Sequence, residues 1–212
     1  MSETIADVII PDSPLAQEAT RFIRETSGEL LFHHSRRVFL FGTLQGRVRG
    51  LEADPELLYI GAMFHDVGLV DGHRRTDQRF EVDGADAARD LLLAHGRSPA
   101  EARAVWLAIA LHTTPGVPEH LEPEIALVTA GVETDVLGLH LDRLGHDQLA
   151  QVTAAHPRPD FKQRILAAFR DGVADRPDTT FGTVNDDVLA HFDPTFRRTD
   201  FAEVVLGSAW PE

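Results

Sequence analysis

The chain has 212 residues, which is enough for one domain with a buried core and short for two. Its 34 acidic and 20 basic side chains give a net charge of −14, which argues against duplex nucleic acid and anionic membranes as partners. Cysteine is absent, so disulfides, thiolate nucleophiles and Cys-based metal sites are excluded.

The spacing of apolar residues predicts helices along most of the chain. Six predicted helices begin at a capping residue or a proline that precedes an apolar stripe: Ser13-Pro14, Asp54-Pro55, Asp83, Ser98-Pro99, Pro123 and Asp160. The second helix is expected over about 29–45, and the sixth is expected to reach about residue 139. Strands are predicted to be minor at most. Two polar or Gly/Pro-rich segments, 70–82 and 175–186, are predicted to be functional loops.

These elements predict one all-α domain over residues 13–212, preceded by a tail over residues 1–12. Residues 1–10 contain no basic segment followed by an apolar run, so we expect no signal peptide. No apolar stretch approaches the length that spans a bilayer. We therefore expect a cytoplasmic protein.

Five polar residues share helix faces with apolar residues and are predicted to point inward: His34, His65, Asp66, His112 and Asp135. A buried carboxylate without a partner is strongly unfavourable. The nearest cations in sequence, Arg36 and Arg37, are predicted to lie off the face of His34, so a divalent metal is the expected partner of both carboxylates. Any single inward histidine is more simply a hydrogen-bonded core residue. A second His-Asp pair, His146-Asp147, lies in a polar stretch and is predicted to have no such role.

This set resembles the HD-domain superfamily of metal-dependent enzymes, in which a His, a His-Asp pair and a later Asp lie on successive helices. The resemblance covers about residues 29–192 and implies a single-domain, all-helical HD bundle. It also implies that His34, His65, Asp66 and Asp135 bind one divalent transition metal. Imidazole and carboxylate ligands suit zinc, the first expectation, and also iron or manganese.

Segments 79–85, 110–116, 124–128 and 178–182 resemble the cyanamide hydratase-like branch of that superfamily. The branch implies a hydro-lyase or hydrolase that adds metal-activated water to a small C–N compound, with cyanamide converted to urea. A small-molecule substrate is therefore expected, and a homo-oligomer is left open.

Two residues are predicted to be catalytic, Glu81 and His112. Glu81 follows the His-Asp pair and is expected to orient or deprotonate water, although a charge at a helix start would also explain it. Asp83 is explained as the N-cap of the fourth helix. His112 is expected to transfer a proton or to hold a second metal; a core histidine bonded to a carbonyl is the alternative.

Two other functions use the same pattern. A phosphohydrolase of a nucleotide or another phosphate monoester would need cationic side chains, which Arg74, Arg75 and Arg79 could supply. A non-catalytic module that senses a small ligand is the third hypothesis, and the complete ligand set argues against it.

Overall fold

A computed structural model describes residues 3–210 and confirms the all-α fold. Residues 1–2 of the predicted tail and residues 211–212 of the predicted domain lie outside the described residues. The described α-helices are α1 (Pro14–Thr26), α2 (Gly28–Arg49), α3 (Pro55–Phe64), α4 (Phe80–Ala94), α5 (Pro99–Ala110), α6 (Pro123–Val132), α7 (His146–Ala155), α8 (Phe161–Val173), α9 (Val184–Phe192) and α10 (Phe201–Leu206). None of the helices within residues 3–210 is long and apolar enough to cross a membrane.

Three helix starts follow the predicted capping chemistry. Ser13 accepts a hydrogen bond from the backbone N–H of Ala16, and Asp54 caps α3 in the same way. At the start of α5, Ser98 and Glu101 form a reciprocal capping box. A proline follows each of the three caps and fixes the first helical residue.

The predicted N-cap role of Asp83 is wrong, because α4 begins at Phe80 and Asp83 lies inside its first turn. The Asp83 carboxylate is buried and accepts hydrogen bonds from the Arg176 guanidinium and the Gln78 amide. Arg176 comes from the loop before α9, so this contact is invisible to local sequence patterns.

Other boundaries also differ from the predictions. Asp160 precedes α8 in a left-handed conformation and makes no side-chain cap. The sixth helix does not continue to residue 139: α6 ends at Val132 and a π-helical segment, Glu133–Leu137, follows. Helices α7, α9 and α10 were not predicted, and α9 begins inside the predicted loop 175–186.

Part of the predicted tail is folded. Two short antiparallel strands, β1 (Thr4–Ile5) and β2 (Val8–Ile9), form a hairpin. Ala6 and Asp7 at its turn have positive φ values of 50° and 61°, as two-residue hairpin turns require. Ile5, Val8 and Ile10 are buried in the main hydrophobic core, so the hairpin closes one side of the bundle.

Helix α2 is central, because it contacts both α3 and α6 closely. A Cβ at Gly131 of α6 would lie 2.1 Å from the Val38 carbonyl oxygen of α2, so glycine is required for this approach. A Cβ at Gly68, just after α3, would lie 2.0 Å from the Phe80 carbonyl oxygen of α4. The first contact brings α6 against α2 one turn after His34, and the second brings the start of α4 against the segment that follows α3.

Candidate metal centre

Three predicted ligands meet inside the bundle. His34 lies on α2, and His65 and Asp66 follow the end of α3. The Nε2 atoms of His34 and His65 are 3.1 Å apart, and Asp66 Oδ2 lies 3.6 Å from the first and 3.3 Å from the second. All three residues are buried, and their ligand atoms are close enough to hold one metal ion.

The hydrogen bonds fix the tautomer of both histidines. His34 Nδ1 lies 2.7 Å from a carboxylate oxygen of Asp135, and His65 Nδ1 lies 2.7 Å from the Ala62 carbonyl oxygen. Since both partners accept hydrogen bonds, each Nδ1 carries the proton and donates it. In the neutral ring each Nε2 therefore presents a lone pair, and the two Nε2 atoms face each other and the Asp66 carboxylate.

His112 follows the same pattern from the end of α5. Its Nδ1 donates to the Ile109 carbonyl oxygen at 2.6 Å, so Nε2 also carries a lone pair. That Nε2 lies 3.7 Å from Asp66 Oδ1 and has no hydrogen-bond partner in the described structure. Both carboxylate oxygens of Asp66 are likewise buried without a hydrogen bond.

Lone pairs and a carboxylate that face one another in the core repel unless a cation lies among them. Imidazole nitrogen and carboxylate oxygen are ligands of divalent transition metals, and a ligating histidine commonly donates its other N–H to a carboxylate or carbonyl. The unpartnered atoms of Asp66 and His112 therefore fit a bound divalent metal.

Asp135, the fourth predicted ligand, is placed differently. Its Oδ2 accepts from His34 Nδ1, and its two oxygens accept from Arg37 Nε at 2.8 Å and Arg37 Nη2 at 2.9 Å. Arg158 Nε lies 3.0 Å from Oδ1. The structure thus brings Asp135 to the far side of the His34 ring, outside the group of three ligands.

The predicted placement of Arg37 off the face of His34 is wrong. Arg37 is fully buried and follows His34 by three residues, a separation that puts two side chains on the same side of a helix. In this structure the Arg37 guanidinium donates to both oxygens of Asp135. Arg36 lies on another face, where it donates to the Tyr59 hydroxyl and to His156.

The surroundings shift the pKa of each group. Burial raises the pKa of the Asp66 carboxyl, but the imidazoles of His65, His34 and His112 outweigh burial and lower it below its ordinary value. Burial lowers the pKa of His34, and burial with the neighbouring His65 lowers the pKa of His112 to about 4. For His65, the carboxylate of Asp66 outweighs burial and raises the pKa. His34 and His112 are therefore neutral near pH 7, as metal ligands must be.

Glu81, the predicted water-activating residue, is buried at the start of α4. Its carboxylate accepts hydrogen bonds from Arg79, from the Thr113 hydroxyl and from Asn185. Burial raises the pKa of Glu81, but the Arg79 hydrogen bond and the nearby His112 more than offset it and lower the pKa. With its oxygens engaged in this way, Glu81 fixes Thr113, the residue next to His112.

The three loop arginines are all paired with acidic residues. Arg79 Nη2 lies 2.9 Å from Glu81, Arg75 lies 3.0 Å from Asp77, and Arg74 lies 2.8 Å from Asp71. None of these three guanidinium groups is left without a carboxylate partner.

A cavity of about 210 Å³ adjoins the three ligands. Its polar lining comes from the ligand group together with His112 and Thr113, and from Glu133 of the π-helical segment. Its remaining wall is apolar and comes from the end of α6, the π-helical segment, α8 and α9. Ile165, Leu166 and Phe169 of α8 belong to this wall, which periodicity alone cannot distinguish from a core-facing stripe.

A family model described as HD domain matches residues 31–153, which is more than half of the chain. The matched segment contains the three ligands, His112 and Asp135, whereas α8 and α9 lie beyond its end. A search of curated proteins finds no match for this chain.

Proposed function

The chain belongs to the HD-domain family, whose members are generally metal-dependent hydrolases, and we propose that it adds water to a small, neutral carbon–nitrogen compound. Conversion of cyanamide to urea is the first reaction to test. One observation supports this choice over phosphate chemistry: the candidate metal group faces a mostly apolar cavity, and among residues 3–210 no arginine or lysine lines its wall.

The residues proposed to hold the metal are His34 and His65, through Nε2, and Asp66. One metal per chain is proposed, with zinc as the first candidate and iron or manganese as alternatives. When bound, a divalent metal supplies a water of lowered pKa and a positive charge beside the substrate. Asp135, itself held by Arg37, keeps the His34 ring in the orientation and tautomer that a ligand needs.

His112 is proposed to handle protons, or to add a further ligand atom. In nitrile hydration, the water oxygen bonds to carbon as one carbon–nitrogen π bond breaks and one water proton moves to nitrogen; the second water proton then moves from oxygen to nitrogen, which gives the amide or, from cyanamide, urea. The Nδ1–H of His112 is held by the Ile109 carbonyl, so Nε2 is free to accept that proton and pass it on. Glu81 is proposed as a positioning residue, because its carboxylate is already engaged by Arg79 and Thr113.

Phosphate hydrolysis is less well supported. A phosphate needs cationic groups around its oxygens. Arg74, Arg75 and Arg79 would have to leave their carboxylate partners to provide them.

The test compares substrates and variants of the metal-loaded protein. Cyanamide, small nitriles and nucleoside monophosphates are assayed in parallel. His112→Ala is expected to lower kcat/KM for the C–N substrate by about 10²–10⁴-fold, the usual contribution of a general acid or base. Arg75→Ala, in an exposed ion pair, is the control and should leave the rate unchanged. Turnover of nucleotides with the C–N compounds inert would overturn the proposal.

A further inference from the structure

The cavity is large for the smallest C–N substrates. Its volume is about 210 Å³. A water molecule accounts for roughly 30 Å³ of liquid, and a cavity of about 150 Å³ lined by aliphatic and aromatic side chains accommodates benzene. Cyanamide has only three non-hydrogen atoms and would leave most of the apolar wall without contacts.

Much of that wall comes from chain beyond the family match. Ile165, Leu166 and Phe169 project from α8, and Val184 and Val188 project from α9. Their separations of one, three or four residues place them on one side of each helix, facing the cavity. The matched segment ends at residue 153, so both helices are additions to the HD domain as the family model describes it.

Helix α8 packs against the site and also contacts α9. The Phe161 ring on α8 packs 5.3 Å from the His34 ring, and Phe169 makes an edge contact with Phe80 at 5.6 Å. Phe80 in turn contacts His112 at 5.6 Å. These ring contacts therefore define the position of the apolar wall relative to the residues proposed to hold the metal and to transfer the proton.

We propose that α8 and α9 form an apolar subsite, and that the substrate is a C–N compound with an apolar substituent of about four to seven carbon atoms. This inference rests on the proposed function and names its substrate class. The polar C–N group lies at the end formed by His65, Asp66 and His112, and the substituent lies against α8 and α9. Desolvation of the substituent favours binding by about fourfold for each CH₂ group that the cavity buries.

A homologous series tests this directly. The metal-loaded protein is assayed with cyanamide, acetonitrile, butyronitrile and hexanenitrile. The kcat/KM values for the nitriles are expected to rise by about fourfold per CH₂ until the cavity is filled. The binding of acetamide and of hexanamide is measured by calorimetry as a readout independent of turnover, and hexanamide should bind more tightly.

Val184→Trp narrows the subsite without disturbing the core, because Val184 is 38% exposed at the start of α9. It should lower kcat/KM for hexanenitrile and the affinity for hexanamide by at least about tenfold, while acetonitrile changes by less than about threefold. Val48→Trp is the matched control, since Val48 is 48% exposed on α2 and does not line the cavity.

The outcomes separate the two proposals. Equal rates and equal affinities along the series, or equal effects of the two tryptophan variants, overturn the apolar subsite and leave the proposed function standing. If no C–N compound is turned over, the proposed function fails, and the amide affinities alone decide whether the subsite exists.

Discussion

Asp66 and Asp135 are both buried aspartates beside His34, and both have pKa values below the ordinary range, yet their partners differ. Asp135 accepts hydrogen bonds from the Arg37 guanidinium and from His34 Nδ1. Asp66 faces only imidazoles, and neither of its oxygens has a hydrogen bond in the described structure.

The comparison shows how two carboxylates with similar burial take different roles. Asp135 already has a cation of the protein's own, so it is suited to hold His34 in place. Asp66 lacks one, and the lone pairs of His34, His65 and His112 converge on the same space. A buried carboxylate that faces lone pairs instead of a guanidinium therefore indicates a metal ligand.

The largest expected effect is at Asp66. Asp66→Asn should remove the bound metal and lower kcat by about a thousandfold or more, equivalent to roughly 4 kcal/mol. Elemental analysis and steady-state assays measure both quantities. Asp147→Asn is the matched control, because Asp147 belongs to the exposed His146-Asp147 pair. A comparable loss of metal and of kcat in Asp147→Asn would mean that His146-Asp147, and not His65-Asp66, is the metal-binding pair.

Arg37→Met tests the pairing of Asp135 with the Arg37 guanidinium. It removes the two hydrogen bonds that the guanidinium donates to Asp135 and leaves Arg158 Nε, 3.0 Å from Oδ1, as the remaining cation, so the free energy of unfolding should fall by about 1.5–3 kcal/mol in urea titrations. Adding Asp135→Asn to Arg37→Met should recover part of the loss, since the buried charge that has lost these hydrogen bonds is then removed.

The control for this stability measurement is Arg89→Met. Arg89 forms exposed pairs with Asp86 and Asp90, and its replacement should cost less than about 1 kcal/mol. A loss as small as this for Arg37→Met would show that Arg158 or the metal, and not Arg37, is the main counterion of Asp135.

Asp135→Asn gives the sharpest distinction between the two carboxylates. If Asp135 acts through His34, metal affinity should fall by about 10–100-fold and not disappear. A competition titration with a chromogenic chelator measures this. Loss of metal as complete as in Asp66→Asn would place Asp135 among the direct ligands.

The smallest expected effect is a change in how folding stability depends on pH after the metal has been removed. The pKa of His112 is about 4 in the folded protein and ordinarily 6.5, so the unfolded state binds the extra proton between these values. Folding stability is therefore lost as the pH falls from 6.5 towards 4, with a slope of at most about 1.4 kcal/mol per pH unit for this group.

His112→Gln should flatten that slope, and His120→Gln, at an exposed site, should not. Asp135 behaves differently, because its folded pKa lies below the ordinary 3.8. The contribution of Asp135 to folding stability is present at pH values above 3.8 and is lost only as the pH falls below 3.8. Urea titrations of chelated protein at several pH values between 4.5 and 7 check both expectations, and an unchanged slope in His112→Gln would contradict the first.

Most of the helices could be predicted because their signals are local. A cap at Ser13, Asp54 or Ser98 satisfies backbone donors within its own first turn, so the residues that encode it lie together in sequence. Helices α7 and α9 were not predicted although they also have local start signals: Gln148 accepts from the Gly145 N–H, and Thr183 accepts from the Asn185 N–H. The role of Asp83 could not be predicted because its partner, Arg176, is distant in sequence.

By itself, the sequence determined the helical architecture, the HD pattern and the inward direction of His34, His65, Asp66 and His112, because helical periodicity alone sets which face a residue occupies. The tertiary structure decided how these faces combine. It paired Asp135 with Arg37, engaged Glu81 with Arg79, and placed α8 and α9 around the cavity. These outcomes depend on which helices approach each other, and hydrogen bonds and apolar contacts between distant segments have no local periodic signature.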